Sequence, residues 1–179
     1  MKVIGAEDLL TQAMARDAGH KASPERLKNI EKRHSHLLRK LLPKPEPLPG
    51  AVELLKDLRR KHILHGIATS GKPEEMKIAI RALDLDPHTV IVNRSDVEDA
   101  KPEPDLFLEC QKRLGVLPHE CYAVGDAVWD LLAAHRAGML PIGLLTGGYG
   151  ENELLEAGAY RVFQNPTDLH RHLGELGLF

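Results

Sequence analysis

From Ala51 onward, short apolar runs of strand length alternate with stretches whose apolar residues recur at helical spacing, and this alternation constrains the fold most. Ala51, Leu54, Leu55 and Leu58 form a helical stripe, followed by a strand candidate from Ile63 to Ala68. Met76, Ala79, Ile80 and Leu83 form a second stripe, followed by Thr89 to Val92. The pattern continues with a helix from about Asp105 to Leu114, a strand Cys121 to Val124, a helix from about Val128 to Ala137 and a strand Leu140 to Leu144. A helix near Asn152 to Ala157, a short strand around Tyr160 to Phe163 and a last helix from Thr167 to Leu176 complete it. Strands alternating with helices across short loops build a parallel sheet covered by helices on both faces. The spacing thus predicts an α/β, Rossmann-like core over residues 46–179, whose ligands bind beyond the carboxyl ends of the strands.

The segment before this core reads differently. Ser23-Pro24 is a good helix start, since Ser23 can cap free amides and Pro24 has the φ tolerated at the first helical position. Leu27, Ile30, Leu37, Leu38 and Leu41 then give one apolar face. The tract Pro43-Lys44-Pro45-Glu46-Pro47-Leu48-Pro49-Gly50 cannot continue a helix, because proline lacks the N–H donor and restricts its neighbour. It reads as a linker between residues 1–45 and 46–179.

Bulk properties narrow the function classes. With 24 basic and 26 acidic residues, the net charge of −2 offers no general attraction for nucleic acid or an anionic membrane. No apolar run approaches the roughly 20 residues that cross a bilayer. The first residues lack the basic-then-apolar order of a secretory signal. Two cysteines, Cys110 and Cys121, supply neither a metal framework nor a disulfide scaffold, which makes the cytoplasm the expected compartment.

Three polar signals fall at or shortly after the carboxyl ends of expected strands. Thr69-Ser70-Gly71 follows Ile67-Ala68; a hydroxyl with loop amides near a helix N-terminus can hold a phosphate oxygen, and it can equally cap the helix near Pro73. Lys101 stands in Ala100-Lys101-Pro102-Glu103-Pro104-Asp105, where flanking prolines stiffen the loop and could aim an ammonium at phosphate charge. Asp126 and Asp130 lie in Gly125-Asp126-Ala127-Val128-Trp129-Asp130. Crowded carboxylates call for a cation, a raised pKa or solvent between them, and Mg²⁺ suits oxygen ligands. The same pair also fits a helix cap and an acidic first turn.

Taken in order, these three signals resemble the motifs of the haloacid dehalogenase (HAD) superfamily, specifically its phosphoglycolate-phosphatase-like branch. Ile67-Ala68-Thr69-Ser70-Gly71 is similar to the second motif, Lys101-Pro102-Glu103-Pro104-Asp105 to the third, and Gly125-Asp126 to Asp130 to the fourth. The resemblance runs from about Pro47 to the C-terminus. It implies phosphate binding by Thr69, Ser70 and Lys101, with Lys101 as the charge-stabilising catalytic lysine. It further implies Mg²⁺ held by Asp126 and supported by Asp130. Residues 7–42 resemble part of the helical cap that such enzymes insert after their first strand, so residues 1–45 are expected to be a partial cap.

The family's first motif, an Asp-x-Asp at the end of the central strand, has no counterpart here. In that motif the first aspartate attacks phosphorus and the second serves as acid and base. Met1-Lys2-Val3-Ile4-Gly5-Ala6 has a strand-like start without an aspartate pair. Asp84-Leu85-Asp86 has the spacing, but it follows a helical stripe and precedes a strand, which places it on the opposite rim of the sheet. The resemblance thus implies a phosphate-monoester hydrolase acting through an aspartyl-phosphate in a full-length form, with little turnover from these 179 residues alone. A missing central strand predicts unpaired backbone groups between Ile63–Ala68 and Cys121–Val124. The alternative is a non-catalytic, truncated or degenerate homologue that keeps a Mg²⁺ and phosphate pocket and acts through a partner. Dehalogenation or phosphonate cleavage ranks third. The expected ligand is a small phosphorylated metabolite; oligomeric state is not encoded legibly.

His34-x-His36 and His170-x-His172 read as solvated helix faces, because residues two apart on a helix diverge. Cys110 reads as a small core residue. Trp129 and the Gly147-Gly148-Tyr149-Gly150 loop stand on the side of the sheet where the site is expected.

Overall fold

The computed structural model describes residues 23–41, 46–71 and 73–178. The strand-like start at Met1–Ala6, residues 7–22 of the expected cap, Pro43–Pro45 of the linker, and the side chains of Leu27, His34, Leu38 and Leu41 lie outside the described residues. The chain divides into two compact units, one reaching Pro45 and the other running from Glu46 to Phe179. In the first, helix α1 spans Pro24–Leu41. The Ser23 hydroxyl oxygen accepts from the Arg26 amide at 3.3 Å, a capping contact that satisfies a free N–H at the helix start.

The second unit is the expected α/β core. Its helices and strands follow in the order α2 (Ala51–Arg60), β1 (Gly66–Ala68), α3 (Pro73–Ala82), β2 (Val90–Val92), α4 (Asp105–Leu114), β3 (Tyr122–Gly125), α5 (Val128–Arg136), β4 (Leu140–Leu144), α6 (Glu151–Glu156), β5 (Arg161–Phe163) and α7 (Pro166–Arg171). Every ladder is parallel: Ile67 faces Ile91, Val124 faces Ile142, and Gly143 faces Val162.

Side-chain alternation along the strands sorts the helices onto two faces. Ala123 points into a cluster with Phe107 of α4 and with Ala133, Ala134 and Met139, while Tyr122, one residue earlier, packs into the opposite cluster. That opposite cluster joins Ile142, Leu144 and Phe163 to Leu169, Leu173 and Leu176, with Leu54 and Leu58 of α2 against it. Leu106, Leu131, Ile142 and Leu154 are fully buried, each burial stabilising the fold by about 1.5–3 kcal/mol. Asp57 is the buried charge among the described residues, and it ties α2 to α7 through His170, whose Nε2 lies 3.0 Å from Asp57 Oδ2.

Among the described residues the strands form two sheets, β1–β2 and β3–β4–β5, with no ladder between them. Helix α4 packs on β1 and β2 and touches α5, which packs on β3 and β4. Ala68 of β1 also joins the cluster containing Ala123 of β3. Thus β1 and β3 are neighbouring edges, and Val124 in β3 is 45% exposed although its strand lies within the core.

Sequence and structure differ most at two ends. The expected strand Ile63–Ala68 begins at Gly66, because Ile63 is spent on ending α2: its amide bonds the Leu58 carbonyl at 2.9 Å, with His62 at φ 56°. That six-to-one bond with a left-handed residue before it is a Schellman stop. The expected helix Thr167–Leu176 breaks after Arg171 and resumes as a short 3₁₀ turn at Leu173–Leu176.

Candidate active site

Thr69 directly follows β1, and its amide extends the ladder by bonding the Val92 carbonyl at 2.9 Å. Its hydroxyl oxygen accepts from the Gly71 amide at 3.0 Å, which shapes the turn and leaves the hydroxyl proton available to donate. Ser70 is exposed on the same turn.

Lys101 reaches this strand end. Its ammonium donates to the Ala68 carbonyl at 2.9 Å and lies 2.8 Å from Asp130 Oδ1, with the Phe107 ring centroid 4.7 Å away. The Lys101 and Asp130 side chains are only 14% and 16% exposed, so the pair is held in a poorly solvated place. Helix α5 also restrains the loop that carries Lys101: Arg136 donates to the Pro102 carbonyl at 3.0 Å and pairs with Glu103.

Asp126 and Asp130 flank the β3–α5 turn and face different partners. Asp130 Oδ2 accepts from the Ala127 amide at 3.2 Å, while its other oxygen holds Lys101. The capping role and the ion-pair role therefore occupy both oxygens of Asp130. Asp126 Oδ2 accepts from the Thr146 hydroxyl at 2.9 Å, and Oδ1 takes no hydrogen bond among the described residues. Glycine at 125 is required by this turn, since a Cβ there would sit 2.2 Å from Asp130 Cβ. The sequence reading passed over Thr146; its position just beyond the carboxyl end of β4 was the available signal.

The structure therefore joins the Thr69 strand end, Lys101 and Asp130 through direct contacts, and sets Asp126 beside Asp130 in sequence on the same turn. Trp129, between the two aspartates, is 38% exposed. Asp84 and Asp86 lie apart, in the α3–β2 connection, paired at 2.8 Å with Lys56 and Arg59 of α2. His170 and His172 diverge, one to Asp57 and the other to the Asp168 carbonyl. Among the described residues no three His, Cys, Asp or Glu side chains converge to cage a metal. The oxygen the turn leaves unengaged among the described residues, Asp126 Oδ1, is a hard carboxylate donor that suits Mg²⁺, which takes one or two carboxylates and completes its shell with water and phosphate.

A hydroxyl, a lysine and two aspartates thus stand at or shortly beyond the carboxyl ends of parallel strands in an α/β core, the region where ligands bind in open α/β sheets. The chain belongs to the haloacid dehalogenase-like hydrolases, whose family model matches residues 2–138. It is 32% identical over 165 residues to beta-phosphoglucomutase of Bacillus subtilis, covering 92% of this chain and 66% of that protein. It is 31% identical over 128 residues to phosphoglycolate phosphatase of Escherichia coli, covering 70% of this chain and 50% of that protein. The chain thus spans between half and just under two thirds of the length of these curated relatives. A crystal structure of a hydrolase from Pseudomonas syringae superposes with a TM-score of 0.88 at 39% identity, covering 98% of this chain and 80% of that one.

Proposed function

We propose that this chain forms the phosphate- and Mg²⁺-binding part of a phosphomonoester hydrolase of the phosphoglycolate-phosphatase-like branch, acting on a small phosphorylated metabolite. The observation that carries the reading is the Lys101 ammonium, held between the Ala68 carbonyl and Asp130 at 2.9 and 2.8 Å. A cation fixed there cannot swing to solvent, so it meets phosphate charge without a large ordering cost. Thr69 and Ser70 donate hydroxyl hydrogen bonds to phosphate oxygens. Asp126 presents its free oxygen to Mg²⁺, and Asp130 keeps Lys101 aimed. When bound, Mg²⁺ supplies charge neutralisation for the phosphate. Residues 1–45 are read as a partial cap. Support for a phosphorylated small molecule comes from the relatives, one named a phosphoglycolate phosphatase and another a beta-phosphoglucomutase.

The attacking carboxylate is assigned to a strand seated between β1 and β3, where two parallel edges lack a shared ladder among the described residues. The second reading is a non-catalytic homologue that binds Mg²⁺ and phosphate and works through a partner, for which the same two edges, without a shared ladder among the described residues, offer a place. Turnover separates the two. The 179-residue chain is expected to release no nitrophenol from para-nitrophenyl phosphate, and a chain extended before Met1 by an apolar strand ending in Asp-x-Asp is expected to release it. Turnover by the 179-residue chain that vanishes in Asp126→Ala would place a nucleophile within these residues. A silent extended chain that still binds phosphate would favour the partner-dependent reading.

A further inference from the structure

We propose that Thr146 is a positioning residue that makes Asp126 a one-oxygen metal ligand and thereby sets a preference for Mg²⁺ over Ca²⁺. The inference rests on the reading of Asp126 as a Mg²⁺ ligand. Two observations carry it. The Thr146 hydroxyl donates to Asp126 Oδ2 at 2.9 Å, which leaves Oδ1 as the oxygen without a hydrogen-bond partner among the described residues. The next residue presses the loop onto the same aspartate: a Cβ at Gly147 would lie 2.0 Å from the Asp126 carbonyl oxygen and 2.9 Å from its Cγ. Only glycine permits that approach, so the loop after β4 is seated against Asp126 and its hydroxyl cannot drift away.

The chemistry follows from the two cations. Ca²⁺ takes six to eight oxygens in flexible geometry and accepts a carboxylate through both oxygens, whereas Mg²⁺ demands a near-octahedral shell. A carboxylate whose Oδ2 accepts a hydroxyl proton has one of that oxygen's lone pairs engaged, so its other oxygen, Oδ1, is the freer donor to a cation. It also resists rotating to chelate through both oxygens. Partners of this kind orient a ligand without touching the metal. Thr146 thus penalises the larger ion and leaves the smaller one unpenalised.

The test uses Tb³⁺, a hard cation of Ca²⁺-like size, with emission sensitised by Trp129, the only tryptophan in the chain. Mg²⁺ and Ca²⁺ are titrated as competitors against wild type, Thr146→Val, Thr146→Ser and Asp126→Asn. In Thr146→Val the ratio of Ca²⁺ to Mg²⁺ affinity is expected to rise about tenfold, the lower end of what removing an outer-shell partner costs. Thr146→Ser, which keeps the hydroxyl, is expected to retain the wild-type ratio. An unchanged ratio in Thr146→Val, or an equal loss for both ions, overturns the role of Thr146 while the metal site stands. Sensitised binding that survives Asp126→Asn overturns the reading of Asp126 itself, and the proposal with it.

Discussion

The Lys101 ammonium and the Asp130 carboxylate meet at 2.8 Å across a separation of 29 residues, and both side chains are largely withdrawn from solvent. An ion pair so placed loses more when one partner is removed than when both are, because the survivor is stranded without compensation. Asp130→Ala should therefore lower stability by about 2–3 kcal/mol in urea unfolding. Adding Lys101→Met should recover part of that loss. A double-mutant cycle that sums without coupling would show that the pair contributes nothing.

Gly125 is where the backbone of β3 passes under Asp130. Gly125→Ala places a Cβ 2.2 Å from Asp130 Cβ, so the first turn of α5 must shift. Overpacking of this kind costs about 1–3 kcal/mol. Thermal unfolding should show that loss. A wild-type unfolding temperature would contradict the described turn.

Asp57 gives a pH dependence with a definite sign. Its hydrogen bond to His170, and then the Arg60 and Lys61 charges, hold its carboxyl below the ordinary 3.8, against the opposing pull of desolvation. A depressed carboxyl stabilises the fold above the unfolded-state value, and that contribution is lost as pH falls through the folded value. Wild type should lose stability on acidification below about pH 4, and Asp57→Asn should lose less over the same range. His170→Ala should flatten the profile in the same direction. Parallel profiles for all three would remove Asp57 as the source.

Burial pushes the Cys110 thiol up to about 11, and burial also raises Cys121. At neutral pH only about one Cys110 in ten thousand is then thiolate, and its side chain is shielded by the core. Ellman's reagent should label the half-buried Cys121 first and reach Cys110 only on unfolding. Rapid labelling of both in the native state would contradict this packing.

Much of the core was legible in the sequence because local signals and periodicity agreed. Helix α4 begins at Asp105 after Pro104 and ends at Leu114 before Gly115 in the left-handed region, and β4 runs from Leu140 to Leu144 as expected. The late start of β1 was not legible, because a histidine, rather than glycine, adopts the left-handed conformation that ends α2. Nor could helical periodicity foretell the break after Arg171, since a 3₁₀ turn at Leu173–Leu176 keeps Leu173 and Leu176 buried. In the candidate site, residue types and their strand-end positions were readable, but their pairings were not. That Asp130 takes Lys101 while Asp126 takes Thr146 depends on how loops from three strands meet, and no local spacing encodes it.

The parallel edges of β1 and β3 carry a consequence for handling the protein. Among the described residues these two edges share no ladder, and edges without a partner can template an extended peptide, with the exposed Val124 adding an apolar contact to one of them. Concentrated solutions of the isolated chain should consequently tend toward edge-to-edge self-association, and a short β-forming peptide supplied in excess should suppress it.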